Sequence, residues 1–392
     1  MLERHISIKI LNLAKTAPVI TITGPRQSGK TTLARYLFPN HDYISLEDPD
    51  NRRFALDDPR GFLSQFKTGV ILDEVQKTPE LFSYIQTIVD HHSDPGKFIL
   101  TGSQNFLLMK SISQSLAGRT AIFHLLPFSF SELYKKKGVD LYRPKIVDTS
   151  SKRNLDTVIF EGFFPRIHDK KLLPGDWLAD YMQTYVERDV RDVLKIGDLD
   201  NFRRFIALCA GRSGQILDMV SLGNDCGISH STVKRWLSVL QTSFHIFLLK
   251  PHHKNFNKRI IKGPKLYFFD TGLLCYLLRI RKQEELINHP AKGAIFETFI
   301  ISEYYKKFLN NKMQPDLYFW RDSSGNEIDL IIENGDRLIP IEIKSGQTFN
   351  RSFLKNLNYW CELYGKPESF LFYGGDKSFQ YKKTTVFSWH EI

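Results

Sequence analysis

Gly24-Pro25-Arg26-Gln27-Ser28-Gly29-Lys30-Thr31 follows the apolar, β-branched run Val19-Ile20-Thr21-Ile22-Thr23 and opens a helical pattern that runs to Phe38. A strand, a G-x-x-x-x-G-K-T loop and a helix in that order predict a phosphate-binding loop. Glycines at 24 and 29 let the backbone curl until its N–H groups face inward on an anion. The helix that follows adds the partial positive charge of its N-terminus. Lys30 is expected to reach the β- and γ-phosphates of a nucleotide, and the Thr31 hydroxyl to ligate Mg²⁺. Pro25, Arg26, Gln27, Ser28 and Thr32 complete the expected cradle.

Outward from this loop, Gly69-Val70-Ile71-Leu72-Asp73-Glu74 is an apolar strand that ends in two carboxylates. In a doubly wound sheet the ligand lies beyond the carboxyl ends of the strands, so both motifs are expected at adjacent strand ends facing one crevice. Asp73 is placed to hold Mg²⁺ and Glu74 to orient and deprotonate an attacking water. A third strand, Lys97 to Thr101, ends in Gly102-Ser103-Gln104. A polar side chain there is positioned to sense the γ-phosphate; Ser103 is the first candidate, Thr101 and Gln104 the alternatives. Strand and helix alternate from residue 16 to about 135, with one long helix expected over 50–65, which argues a parallel sheet with helices on both faces.

The chain has 392 residues, too many for one ordinary core, so two or three domains are expected. Its 42% hydrophobic and 25% charged residues are those of a folded, soluble protein. No apolar run reaches the ~18 residues that span a bilayer. The first 15 residues read as an amphipathic helix rather than a signal peptide. Cys209, Cys226, Cys275 and Cys361 are scattered without a C-x-x-C, which argues against a disulfide framework or a zinc site and for the reducing cytoplasm. A net charge of +11 favours a polyanionic partner.

Lys135 to Asn154 reads as a boundary loop, and 155–208 as helical, with a turn at Glu161-Gly162-Phe163-Phe164-Pro165. Residues 213–270 read as two short helices (216–220 and 222–226), a turn, the helix 230–242 and two β-like runs, 246–249 and 265–269. The connection between those runs carries Lys254, Lys258, Arg259 and Lys262 and no acid. Helix, turn, helix and basic hairpin make a winged-helix pattern, with Lys234 and Arg235 near the start of the recognition helix. Such a module contacts either nucleic acid or protein.

The last hundred residues hold a second constellation. Glu342 and Lys344 lie two apart in a strand and face one side. A hairpin through Glu333-Asn334-Gly335-Asp336 brings Asp329 beside them, and Glu327 shares the side of Asp329. Glu297, on the helix that starts near Gly293, and Gln347 are further candidates. Two carboxylates can hold Mg²⁺ while a lysine activates water or offsets charge on a phosphodiester. The alternative is a charged strand face whose lysine simply pairs with the acids.

Taken in order, GPRQSGKT (24–31), ILDEVQK (71–77), LTGSQ (100–104), SLAGR (115–119), YVERDVRDV (185–193), EIDLI (327–331) and IEIKSG (341–346) make the chain resemble, over nearly its full length, the prokaryotic AAA-type ATPases with a C-terminal domain of unknown function. The resemblance implies an α/β fold: an AAA-type P-loop ATPase core over 1–140, a helical region over 141–212, a winged-helix-like domain over 213–285, and a small restriction-endonuclease-like α/β domain, of PD-(D/E)xK type, over 286–392. It assigns Gly24, Gly29, Lys30 and Thr31 to the nucleotide, Asp73 to Mg²⁺, Glu74 to water and Ser103 to the sensor role. Arg119 becomes the candidate phosphate-contacting arginine, in cis or from a neighbouring subunit, ahead of Arg188 and Arg191. Asp329 and Glu342, as metal ligands, and Lys344 fall on the nuclease motif. The expected cofactors are ATP and Mg²⁺. The expected activity is ATP hydrolysis coupled either to a DNA nuclease or to a conformational switch on a DNA or protein partner.

Overall fold

β1 (Val19–Thr23) is an interior strand of a five-stranded sheet and is buried along its whole length. The computed structural model describes residues 2–92, 94–103, 115–135, 140–142, 145–146, 153–185, 199–253, 262–366 and 368–392. They form two compact units, one made of Met1–Pro127, Thr242–Phe244 and Phe308–Met313, the other of Phe128–Gln241, His245–Lys307 and Gln314–Ile392.

In the first unit, α1 (Ser7–Leu13) precedes β1, and α2 (Lys30–Leu37) follows it. Next come β2 (Asp42–Ser45), α3 (Pro49–Asp57), α4 (Pro59–Ser64), β3 (Val70–Asp73), α5 (Leu81–His91), β4 (Phe98–Gly102) and β5 (Thr120–His124). All strands are parallel, in the order β2-β3-β4-β1-β5. Alternation sends Val19, Val70, Leu72, Phe98 and Leu100 into one layer with Phe62, Phe82 and Ile85. It sends Ile20, Ile22, Ile71, Ile99 and Phe123 into the other with Ile10, Leu33 and Ala34. Near-continuous apolar strands are what a parallel sheet covered on both faces requires.

Two expectations are corrected here. β4 lies between β1 and β3, so the two motif-bearing strand ends are not adjacent. The long helix expected over 50–65 is two, because Pro59 disfavours helical backbone at Asp58, which instead caps α4 by accepting from the Gly61 N–H.

The second unit holds an eight-stranded sheet. β6 (Ile246–Pro251) and β7 (Lys265–Phe268) are antiparallel. β8 (Leu317–Arg321), β9 (Glu327–Asn334) and β10 (Arg337–Lys344) form a meander; β11 (Ser369–Tyr373) runs parallel to β10, and β12 (Phe379–Tyr381) and β13 (Thr384–Ser388) complete the far edge. The order is β12-β13-β11-β10-β9-β8-β6-β7. β6 pairs with β8 through Lys250↔Tyr318 and Pro251↔Phe319, so the hairpin expected to be a separate wing belongs to the C-terminal sheet. The boundary drawn at 285/286 therefore does not separate two sheets.

The ATPase core expected to run to residue 140 ends its compact unit at Pro127. The Phe128 N–H donates to Phe163 O (2.9 Å) and the Phe130 N–H to Glu303 Oε2 (2.7 Å), which anchors this stretch in the second unit. Only one helix, Met219–Cys226, stands where two short ones were expected, because Asp218 caps it by accepting from the N–H groups of Val220 and Ser221. Trp236 of the helix His230–Thr242 packs edge-on against Phe202 and Phe205 of the helix Leu199–Ala210. Among the described residues no helix is long and apolar enough to cross a membrane.

His245 makes this unit sensitive to acid. It lies between Tyr185 and Tyr181, whose hydroxyl is 3.2 Å from Nε2, and burial pushes its pKa down to about 3 from 6.5. Below pH 6.5 the unfolded chain takes up a proton that the native state refuses, so stability is full above that pH and falls as pH drops toward 3. The expected loss from this group is about 1.4 kcal/mol per pH unit. Urea unfolding at pH 7 and pH 5 should show it, and an undiminished slope in His245→Leu would reject the assignment.

Candidate functional site

The phosphate loop spans the gap between β1 and α2. Gly24 has φ +152, and a Cβ there would lie 2.1 Å from the Leu125 carbonyl oxygen, so no other residue fits the first turn. Gly29 has φ +91 and faces open space, which leaves the backbone free to approach an anion. Lys30 is buried; its Nζ donates to the carbonyls of Gly24 (3.1 Å) and Pro25 (2.7 Å). Ser28 is also buried, whereas Arg26, Gln27 and Thr32 are partly or fully exposed.

Arg4, which nothing in the motif anticipates, reaches back to this loop. Its guanidinium donates to Ser28 O (3.1 Å) and Leu126 O (2.6 Å).

Asp73, at the end of β3, collects hydroxyls from three elements. Thr31 donates to it at 3.0 Å, Tyr43 of β2 at 3.0 Å, and Thr101 of β4 through a short bond. Because β4 intervenes, Thr101 bridges the space between the two motifs. Burial first, then the Asp73 charge, push the Tyr43 phenol up to about 12, so it stays protonated and donating. A carboxylate and two threonine hydroxyls are hard oxygen donors of the type that suits Mg²⁺.

Glu74 follows with left-handed backbone (φ 55) and accepts from Gln76 Nε2 and from the Ser103 hydroxyl (3.1 Å). Ser103 is therefore tied to the water-orienting candidate, while Thr101, the alternative, is tied to the metal candidate. Gln104, Arg188 and Arg191 lie outside the described residues.

Arg119 sits at the far end of the sheet. It immediately precedes Thr120, which pairs with Val19 at the start of β1, about 15 Å of strand from the loop. Its guanidinium is held by Asp90 of α5 (2.5 and 3.0 Å). That placement sets it away from the phosphate loop of its own chain and leaves two readings, a surface arginine paired with Asp90 or a contact offered to a neighbouring subunit.

A second cluster lies in the other unit. Asp329 accepts from the Ile343 N–H (2.8 Å) and pairs with Lys344 Nζ (3.4 Å), which also pairs with Glu342 Oε1 (2.6 Å). Strand alternation and the β9–β10 register thus bring Asp329, Glu342 and Lys344 together. Glu342 is buried, and its Oε2 has no hydrogen-bond partner among the described residues. Burial and the Asp329 charge push its carboxyl well above the usual range, opposed by Lys344.

Glu297, from the helix Lys292–Asn310, joins from the other side, with ligand atoms of Glu297, Glu327 and Asp329 all within 4.8 Å of one another. Burial, with Asp329 adding to it, pushes Glu297 up to about 7 against the pull of Lys265.

Two members of this cluster escape sequence reading. Lys265 of β7 binds Glu297 Oε1 (3.0 Å) and Glu327, and Tyr267 donates to the same Glu297 oxygen at 2.5 Å. Their only signal is a polar atom at alternate positions of an apolar strand. Of the basic candidates, Lys234, Arg235 and Lys262 are exposed, while Lys254, Lys258 and Arg259 lie outside the described residues.

Three family models match the chain, and their spans differ from the two compact units. Residues 16–134 fit the AAA domain family, 152–284 a domain of unknown function (DUF8612), and 292–392 another (DUF4143). Over 349 residues the chain is 28% identical to the uncharacterized protein Rv2008c of Mycobacterium tuberculosis, covering 88% of this chain and 74% of that one. Over 352 residues it is 24% identical to the uncharacterized protein MJ1544 of Methanocaldococcus jannaschii, covering 85% and 75%. Among solved structures it is similar to the Walker-type ATPase PABY2304 of Pyrococcus abyssi, at 15% identity and a TM-score of 0.46, over 71% of this chain and 96% of that one.

Proposed function

We propose that the first unit binds ATP with Mg²⁺ and hydrolyses it, and that the nucleotide state governs a divalent-cation site in the second unit that acts on DNA. The convergence of Thr31, Thr101 and Asp73 beside the phosphate loop carries the first part. Mg²⁺ bound there would offset charge on the β- and γ-phosphates. Lys30 binds the same oxygens, the loop N–H groups orient them, and Glu74 takes the proton of the attacking water while Gln76 and Ser103 hold its carboxylate. Arg119 acts only where a second subunit approaches, which makes an oligomer part of this reading.

The DNA part rests on the +11 charge, on exposed Lys234, Arg235 and Lys262, and on the Asp329, Glu342, Lys344 set. The helices 219–226 and 230–242 serve as a helix-turn-helix reader without a separate wing, and the C-terminal sheet as a PD-(D/E)xK-like nuclease fold in which Asp329 and Glu342 would hold the ion and Lys344 offset charge on the phosphodiester. The free cysteines are compatible with a cytoplasmic setting.

A second reading is favoured by one observation: Lys265 and Lys344 already pair with the cluster's carboxylates. On that reading the cluster is an ion-pair network for docking, and ATP switches the binding of a protein partner.

ATP turnover measured with and without duplex and single-stranded DNA, beside plasmid cleavage in Mg²⁺ or Mn²⁺, separates the readings. DNA-stimulated turnover with cutting lost in Lys344→Ala supports the first. Turnover indifferent to DNA, with no cutting, supports the second.

A further inference from the structure

Four carboxylates meet in the second unit, but they are not equally committed. Glu297 and Glu327 are engaged by organic cations and a phenol. Lys265 Nζ, on a side chain only 3% exposed, binds both, Tyr267 donates to Glu297, and Arg321 takes the other oxygen of Glu327 at 3.2 Å. Asp329 and Glu342 are engaged differently. They share Lys344, whose side chain is 34% exposed, and Glu342 keeps a buried oxygen with no partner among the described residues. An acceptor in that state costs free energy unless a cation reaches it.

We propose that Lys265 is a built-in counter-ion that fills the Glu297–Glu327 side of the cluster and thereby limits it to one divalent cation, held on the Asp329–Glu342 side. This rests on reading the cluster as a cation site. The ligand atoms of Glu297, Glu327 and Asp329 lie as close together as those that share an ion, and the ammonium group of Lys265 bonds two of those three carboxylates. Removing its charge while keeping its bulk takes the ammonium from Glu297 and leaves Glu327 with Arg321 alone, both carboxylates being only partly exposed, and a second divalent ion can neutralise the charge that is left. The lysine comes from the 152–284 region and the acids from the 292–392 region, so the ion count is set by a strand that the first region contributes to the shared sheet.

Mn²⁺ is the probe, titrated into the full-length chain carrying Asp73→Asn to silence the first site, and followed by calorimetry and electron paramagnetic resonance. One Mn²⁺ with an uncoupled spectrum is expected. Adding Lys265→Met should raise the stoichiometry to two, with spin-coupled broadening, and Lys265→Arg should keep it at one. An unchanged stoichiometry in Lys265→Met overturns the inference. So does a two-ion spectrum without any change at Lys265, a result that does not depend on how well a Lys265 variant folds. If neither chain binds Mn²⁺, the reading of the cluster as a cation site fails as well, whereas one ion in both sinks only the role of Lys265.

Discussion

Lys30→Ala is expected to lower ATP turnover on the order of 10²-fold or more, the usual consequence of removing a positioned charge from the developing transition state. The ammonium is buried and held by the Gly24 and Pro25 carbonyls, both in the loop that would wrap the phosphates. It is thus fixed beside the anion site before any nucleotide arrives, with little reorganisation left to make. Glu74→Gln should behave differently. The amide keeps the size of the side chain but cannot accept a proton, so ATP should bind while turnover falls by roughly 10²–10⁴-fold. Measuring the nucleotide Kd beside kcat for both variants separates the roles. Unchanged hydrolysis in Lys30→Ala would sink the ATPase assignment, and unchanged kcat in Glu74→Gln would move the base elsewhere.

Gly24→Ala is the second large effect, and it falls on stability. The new methyl would lie 2.1 Å from a backbone oxygen that cannot rotate away, at a φ of +152 that side chains rarely adopt. The loop or the segment at Leu125 must move, at a cost of about 3 kcal/mol. Gly29→Ala is the informative contrast. Nothing lies within 4 Å of its added methyl, so only the left-handed backbone penalty of about 1–2 kcal/mol remains. Its methyl would instead stand where the phosphate approaches, and nucleotide affinity should fall more than the melting temperature. Thermal unfolding with and without ATP distinguishes the two; equal destabilisation by both would contradict the packing at Gly24.

Much of the first site is legible in the chain. The strand Val19–Thr23, the loop and the carboxylates after Val70–Leu72 are local patterns, and each encodes its own geometry through periodicity and glycine. Strand order is not local, and β4 therefore enters between β1 and β3 unannounced, bringing Thr101 to Asp73. Arg119 misleads for the same reason: its motif says nothing about which end of the sheet it occupies, and strand direction puts it opposite the loop.

In the second unit, alternation along β9 and β10 determines that Asp329, Glu342 and Lys344 share a face, because a pleated strand has a period of two whatever surrounds it. The helix His230–Thr242 and the strands of the hairpin β6–β7 are similarly local. The pairing of β6 with β8 is not, and it is this pairing that carries Lys265 and Tyr267 into the acidic cluster from about thirty residues before Glu297. The amino-acid sequence by itself determined the residues that share a strand face or a loop, since short-range sterics and side-chain period decide those. Only the tertiary structure decided which faces meet, because that choice depends on burying apolar surface between segments far apart in the chain.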